Sequence, residues 1–118
     1  MTDSALRTKS KEFAKKIVIL CRTLKENHVE SALINQLLRA GTSVGANIHE
    51  AQYAQGTKDF ISKFEIALKE CNESEYWIEL LFETDSISKE SFDTLQKDCV
   101  ELRRMLVSSV KSLKKQSE

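Results

Sequence analysis

The chain contains almost none of the residues that end helices. Its 118 residues include no proline and only three glycines, Gly41, Gly45 and Gly56. Because proline and glycine interrupt regular structure most strongly, a chain so poor in both is either helical or disordered. Hydrophobic residues make up 41% of the sequence and recur with a helical period, which argues against disorder. The sequence therefore predicts an all-α protein.

Four segments carry apolar residues at intervals of three and four, as expected when one face of each helix is buried. We predict helices over residues 3–26, 30–54, 58–82 and 89–113. Residues 114–118 are expected to fray. Helices of similar length joined by short turns favour an antiparallel, up-down-up-down four-helix bundle, with residues 1–118 forming a single domain.

The third predicted helix is apolar over more of its surface than the core of one bundle requires. The excess lies at Tyr76, Trp77 and Leu80. Exposed apolar surface of this kind is typical of a contact between subunits. We therefore expect a homo-oligomer with these three residues in its interface.

The cysteines and the ends of the chain favour a reducing compartment. Cys21, Cys71 and Cys99 are odd in number and far apart, and none forms a Cys-x-x-Cys pair. They are interpreted as small core residues rather than as metal ligands or disulfides, and no cofactor is expected. No apolar run approaches the roughly 18 residues of a membrane span, and the N-terminus lacks the apolar stretch of a secretory signal. A cytoplasmic location is predicted.

Opposite charges are equal in number but unevenly distributed. The 18 basic and 18 acidic residues cancel, which argues against strong non-specific binding to nucleic acid. Residues 1–27 nevertheless hold seven basic and three acidic residues, while residues 57–85 hold three basic and eight acidic ones. These two segments are expected to attract each other, either within one bundle or between neighbouring copies. Glu70, Glu73 and Glu75 are accordingly expected to form an exposed acidic face or to pair with the basic first helix, rather than to hold a metal.

Two glycines interrupt the second predicted helix. Gly41 and Gly45 lie four residues apart, and each costs a helix interior about 1 kcal/mol relative to alanine. Their presence predicts the close approach of another element to a nearly bare backbone. The aromatic residues of the third helix are the expected partners.

A stripe of polar side chains lies on the other side of the same helix. Arg39, Ser43, Asn47 and Glu50 fall within about 80° of one another on a helical wheel. The stripe is either a solvated face or a hydrogen-bonded network at a contact between helices or subunits. In the second interpretation Arg39 bridges Glu50 or a neighbour's carboxylate. These residues contain no pair of nucleophile and base, so no catalytic residue is predicted.

Three segments carry a resemblance to a known family. They read LRAGTSVGANIHEA over residues 38–51, KDFI over residues 58–61 and IALKECNESEYWIELL over residues 66–81. In this order and spacing they resemble the bacterial four-helix-bundle proteins called 23S rRNA intervening-sequence proteins. The resemblance implies a four-helix protomer assembled into a closed ring, a homopentamer, and no established catalytic role. Its motif falls here on Arg39, Ser43, Gly45, Asn47 and Glu50, with Glu73 and Glu75 later in the chain.

The resemblance also implies kinship with the accessory proteins of diversity-generating retroelements, which are strongly basic bundles that engage a reverse transcriptase and nucleic acid. This chain is neutral. We therefore expect a non-enzymatic adaptor or assembly module that binds copies of itself, with a further protein partner left open.

Two alternatives remain. One is an accessory protein that binds RNA or DNA through its basic first and fourth helices. Its candidate contacts on the first helix are Lys9, Lys11, Lys15, Lys16 and Arg22. The other is a small ribonuclease that uses Arg22 and His28, although a turn residue is the simpler interpretation of His28.

Overall fold

The computed structural model describes residues 2–117, with side chains from Ser4 to Gln116. This part of the chain forms four α-helices and no strand. They are α1 (Thr2–Glu26), α2 (Ser31–Ala51), α3 (Thr57–Glu83) and α4 (Lys89–Ser117). The all-α prediction is confirmed.

Two helix ends differ from the sequence prediction. α2 ends at Ala51 because the next three residues donate their N–H groups to carbonyls only three residues back, which tightens the chain into turns. α4 continues to Ser117, so residues 114–117 are helical instead of frayed, and Glu118 lies outside the described residues. Beyond Leu113 no breaker occurs, and Lys114 pairs with Glu65 of α3 at 2.9 Å. Basic side chains in the last turn also suit the helix dipole.

The helices bury one apolar face each and form an elongated bundle measuring 49 × 22 × 19 Å. Consecutive helices pack against each other, and α1 also meets α4, whereas no described Cα atom of α1 lies within 8 Å of one in α3. The largest fully buried side chains come from all four helices and are Phe13, Phe64, Leu6, Ile17, Leu24, Leu37, Ile48, Ile78, Leu81, Leu102, Leu106 and Val44. α1 and α3 therefore lie across a diagonal of the bundle.

This diagonal placement changes the expected electrostatics. Lys9 pairs with Glu101 at 2.5 Å and Lys16 with Asp98 at 2.8 Å, so the basic residues of α1 meet carboxylates of α4 rather than of α3. The expected attraction between the first and third helices within one bundle is therefore wrong. In these pairs the residue numbers rise along α1 and fall along α4.

The two glycines of α2 lie against α1. A methyl group added at Gly41 would stand 2.8 Å from Cγ1 of the fully buried Ile17. One added at Gly45 would stand 3.3 Å from the carbonyl oxygen of Ser10. The close approach thus involves α1 and not the aromatic residues of α3, because both glycines point towards the first helix.

Two helix ends turn on a residue in the left-handed conformation. His28 has φ 60°; its N–H bonds to the carbonyl of Lys25 at 3.1 Å, and the N–H of Val29 bonds to that of Leu24 at 3.0 Å. This is the Schellman arrangement, which usually employs glycine. Asp85, with φ 58°, repeats the same pair of bonds at the end of α3. The position of His28 agrees with its interpretation as a turn residue.

We predict that Gly41→Ala destabilises the protein by about 1–2 kcal/mol. Overpacking against a buried side chain outweighs the gain in helix propensity. Gly56→Ala is the matched control, since nothing lies within 4 Å of the added methyl group and the backbone there is extended. Urea unfolding of both variants measures the difference, and an unchanged midpoint for Gly41→Ala would contradict the packing argument.

Asp85→Gly should stabilise the protein by about 1 kcal/mol, because glycine adopts a positive φ without the steric cost that a Cβ imposes. The neighbouring change Ser86→Gly should destabilise it, since Ser86 does not have a positive φ. Thermal unfolding of the two variants should move the midpoint in opposite directions. A lower midpoint for Asp85→Gly would show that the Asp85 carboxylate stabilises the protein by more than its positive φ destabilises it.

Candidate functional site

The side chain of Arg39 connects α2 to α3. Its Nη1 lies 3.2 and 3.0 Å from the two carboxylate oxygens of Glu70, and its Nη2 donates to Glu73. Glu73 also accepts a hydrogen bond from the indole Nε1 of Trp77 at 3.0 Å. Residues 70, 73 and 77 fall on one side of α3 because three and four positions make about one helical turn. We call these four side chains the Arg39 cluster.

The charges of the Arg39 cluster stabilise each other. The pKa of Glu73 is lowered, first by the hydrogen bond from Trp77 and then by Arg39. The pKa of Arg39 is raised by its hydrogen bonds to Glu70 and Glu73. Both effects favour the ionised forms. The cluster is therefore a charged, hydrogen-bonded link between two helices.

Two other residues of the polar stripe donate hydrogen bonds to the backbone of their own helix. Ser43 donates to the carbonyl oxygen of Arg39 at 2.6 Å, and Asn47 donates to that of Ser43 at 2.8 Å. Glu50 is exposed. The expected bridge from Arg39 to Glu50 is not formed, because eleven residues of helix separate them by about 16 Å, beyond the reach of the side chain. Only Arg39 of the stripe reaches another helix.

A second link joins α3 to α4. Arg103 donates to Glu75 at 2.7 Å and to the side-chain oxygen of Asn72 at 3.3 Å. Glu73 and Glu75 lie two positions apart and thus about 200° around the helix, which directs one towards α2 and the other towards α4. Glu70 and Glu73 thus pair with α2 and Glu75 with α4, so the expected pairing of these residues with the first helix is not formed. Sequence reasoning missed Arg103, because no local pattern distinguishes it from the other basic residues of α4.

The predicted interface residues have unequal exposure. Tyr76 is 57% exposed, while Trp77 and Leu80 are half-buried. The rings of Tyr76 and Trp77 meet edge-on with their centroids 5.0 Å apart. Trp77 packs partly on the core, so this aromatic pair extends from the interior to the outer surface of α3.

The five predicted nucleic-acid contacts on α1 differ in whether they already form an ion pair. Lys9 and Lys16 are bound to carboxylates of α4, and Lys15 pairs with Glu12 of its own helix at 3.2 Å. Lys11 and Arg22 are exposed. Three of the five predicted contacts thus already have an acidic partner within the chain.

The cysteines are core residues, as predicted. Cys21, Cys71 and Cys99 are buried and free. Burial raises the pKa of the Cys21 thiol to about 11. The described residues contain no group of three or more His, Cys, Asp and Glu side chains that could hold a metal ion. No helix in the described part has both the length and the hydropathy required to cross a membrane.

These features define a class of small helical bundles in which charged clusters connect neighbouring helices. Residues 2–108 match the family described as 23S rRNA-intervening sequence protein, and the chain belongs to that family. It is also similar to a crystal structure of a protein with unknown function from the S23 ribosomal protein family of Bacteroides thetaiotaomicron VPI-5482. The two share 46% sequence identity with a TM-score of 0.90, over 94% of this chain and 99% of the other. No curated protein matches.

We predict that Glu73→Gln reduces the dependence of stability on pH under acidic conditions. Because the pKa of Glu73 is lower in the folded state, the unfolded state binds more protons as the solution is acidified. The stabilisation is present above the ordinary glutamate pKa of about 4.3 and is lost as the pH falls through the folded value.

Thermal unfolding between about pH 3 and 6 measures this effect, with the exposed Glu26→Gln as a control outside the cluster. The slope of the midpoint against pH should be shallower for Glu73→Gln than for the wild type or the control. Equal slopes in all three proteins would contradict the assignment.

Proposed function

We propose that this protein is a non-enzymatic assembly or adaptor module of the cytoplasm. In this proposal its protomers are up-down-up-down bundles that form a closed ring of five. The opposite directions of the pairs Lys9–Glu101 and Lys16–Asp98 support the antiparallel arrangement. Membership of the 23S rRNA-intervening sequence family supports the ring through the resemblance drawn from the sequence.

The observation that carries the proposal is the exposure of Tyr76 on α3. Phe13 and Phe64 are fully buried, whereas Tyr76 leaves 57% of its surface exposed next to the half-buried Trp77. Aromatic side chains are enriched in the cores of protein interfaces because they bury much area at little entropic cost. A second subunit covering Tyr76 accounts for this exposed ring.

The polar residues of the family motif support a structural role. Arg39 and Glu73 are bound to each other, and Ser43 and Asn47 are bound to carbonyl groups of α2. The first contact joins α2 to α3 and the other two lie within α2, and none of them places a nucleophile beside a general base. The family-motif residues therefore support a structural role rather than a catalytic one.

The nucleic-acid alternative has less support. Nucleic-acid binding requires basic side chains that are free to neutralise phosphates and so release the counterions of the nucleic acid. Lys9 and Lys16 are already paired with Glu101 and Asp98. The basic surface left on α1 is smaller than the sequence indicates.

Size-exclusion chromatography with light scattering, recorded at 260 and 280 nm, tests the proposal. We expect a wild-type complex of five chains that carries no nucleic acid. Tyr76→Ala should lose the complex, because it removes the aromatic contact. Tyr53→Ala, which truncates a 74% exposed tyrosine between α2 and α3, should retain it.

Two results would contradict the proposal. One is a wild-type protein that remains a single chain at every concentration. The other is a peak loaded with nucleic acid that loses this cargo at high salt, which would assign the function to the basic residues.

A further inference from the structure

A groove of about 480 Å³ lies between α1 and α2. Its floor is formed by Ala14, Gly45 and Ala46, which have small side chains or none. Arg7 and Lys11 of α1 and His49 of α2 stand at its walls. None of the residues that line the groove is acidic. The groove thus combines a shallow, uncharged floor with a cationic wall.

Among the described side chains, from Ser4 to Gln116, the two cations of this wall have no acidic partner. Arg7 and Lys11 are exposed and form no ion pair within the part of the chain that the structure describes. Lys9 and Lys16 of the same helix face α4 and are both paired. Arg7 and Lys11 therefore stand at the groove with their charge available to a partner.

The outer face of α3 has the opposite charge. Tyr76 is exposed, and Glu79 and Glu83 follow it at three and seven positions, close to one side of the helix. Neither glutamate forms an ion pair with another described side chain. The outer face of α3 therefore presents an aromatic ring followed by two unpaired carboxylates.

The two surfaces also match in spacing. From Ala14 in the floor of the groove, Lys11 and Arg7 lie three and seven residues back along α1. Both series advance by about 4.5 and 10.5 Å along their helices. An antiparallel approach of α3 to α1 would place an aromatic ring over the floor and each carboxylate opposite a cation.

We propose that the groove between α1 and α2 receives α3 of a second copy of this chain. Tyr76 covers the floor at Ala14 and Gly45, while Glu79 and Glu83 meet Lys11 and Arg7. The inference rests on the proposed ring and identifies the surfaces that join its subunits. The same chain cannot make this contact, because its own α3 lies on the diagonal from α1.

This contact uses two different surfaces of each protomer. A copy whose groove is filled still offers its own α3 to the next copy, so the contact is heterologous. If the rotation that relates neighbouring copies is a whole-number fraction of a full turn, repeating this contact produces a closed ring.

Charge reversal tests the contact by light scattering at about 0.15 M salt, where a Debye length of about 8 Å leaves close pairs unscreened. Arg7→Glu with Lys11→Glu should shift the complex to single chains, and Glu79→Lys with Glu83→Lys should do the same. Combining all four changes in one chain should restore the wild-type mass, because opposite charges face each other again. Lys111→Glu with Lys115→Glu on α4 is the matched control and should leave the mass unchanged. Circular dichroism confirms that every variant is folded.

The possible failures are distinguishable. A wild type that is a single chain overturns the proposed function and this contact with it. A wild-type complex whose mass is insensitive to both double reversals overturns this contact alone. The contact is also overturned if both reversals dissociate the complex but their combination does not restore it. Loss of co-purified nucleic acid from the groove variant, without a change in mass, would assign the groove to phosphate groups.

Discussion

The close approach of α1 to α2 at Gly41 determines how the other residues of the second helix are used. The distance between packed helices depends on the side chains at their contact, and a glycine allows Ile17 to lie directly on the α2 backbone. With this side of α2 committed to α1, its other side faces α3. Arg39 is then placed over Glu70 and Glu73. Gly45, one turn after Gly41, lies against Ser10 of α1 and lines the groove between the two helices.

Charged side chains specify surfaces more than they stabilise the bundle. Ion pairs that remain partly exposed contribute about 0–1 kcal/mol each, whereas full burial of a leucine or phenylalanine contributes about 1.5–3 kcal/mol. The core therefore provides most of the stability. The pairs neutralise the charges that face a neighbouring helix. Arg7 and Lys11 on one side of the bundle and Glu79 and Glu83 on another are left unpaired.

The sequence predicted what depends on local periodicity. The four helices and their buried faces follow from apolar spacing, and the three buried cysteines follow from their separation in the chain. The sequence did not predict which helices are neighbours. Segment charges suggested that α1 attracts α3, but the charge of a segment does not determine whether two helices are adjacent or diagonal.

The sequence also did not predict the individual side-chain partners or the conformations of the turns. Arg39 could be assigned to the polar stripe from its position on the wheel, but its partners belong to α3 and depend on the rotation of both helices. The same holds for Arg103 and Glu75. The left-handed turns occur at His28 and Asp85, where no glycine signals them. The site could therefore be predicted as a set of residues but not as a set of contacts.

A neutral chain with segregated charges differs from a neutral chain with mixed charges. The zero net charge of this protein combines a cationic groove on α1 and α2 with an anionic face on α3. A polyanion drawn to the groove would be repelled by the acidic face of the same protomer, which weakens long-range attraction. A second copy presents each surface to its complement and leaves no excess of either charge. The proposed self-assembly would satisfy both surfaces at once, because the diagonal placement of α1 and α3 keeps the two surfaces of one protomer apart.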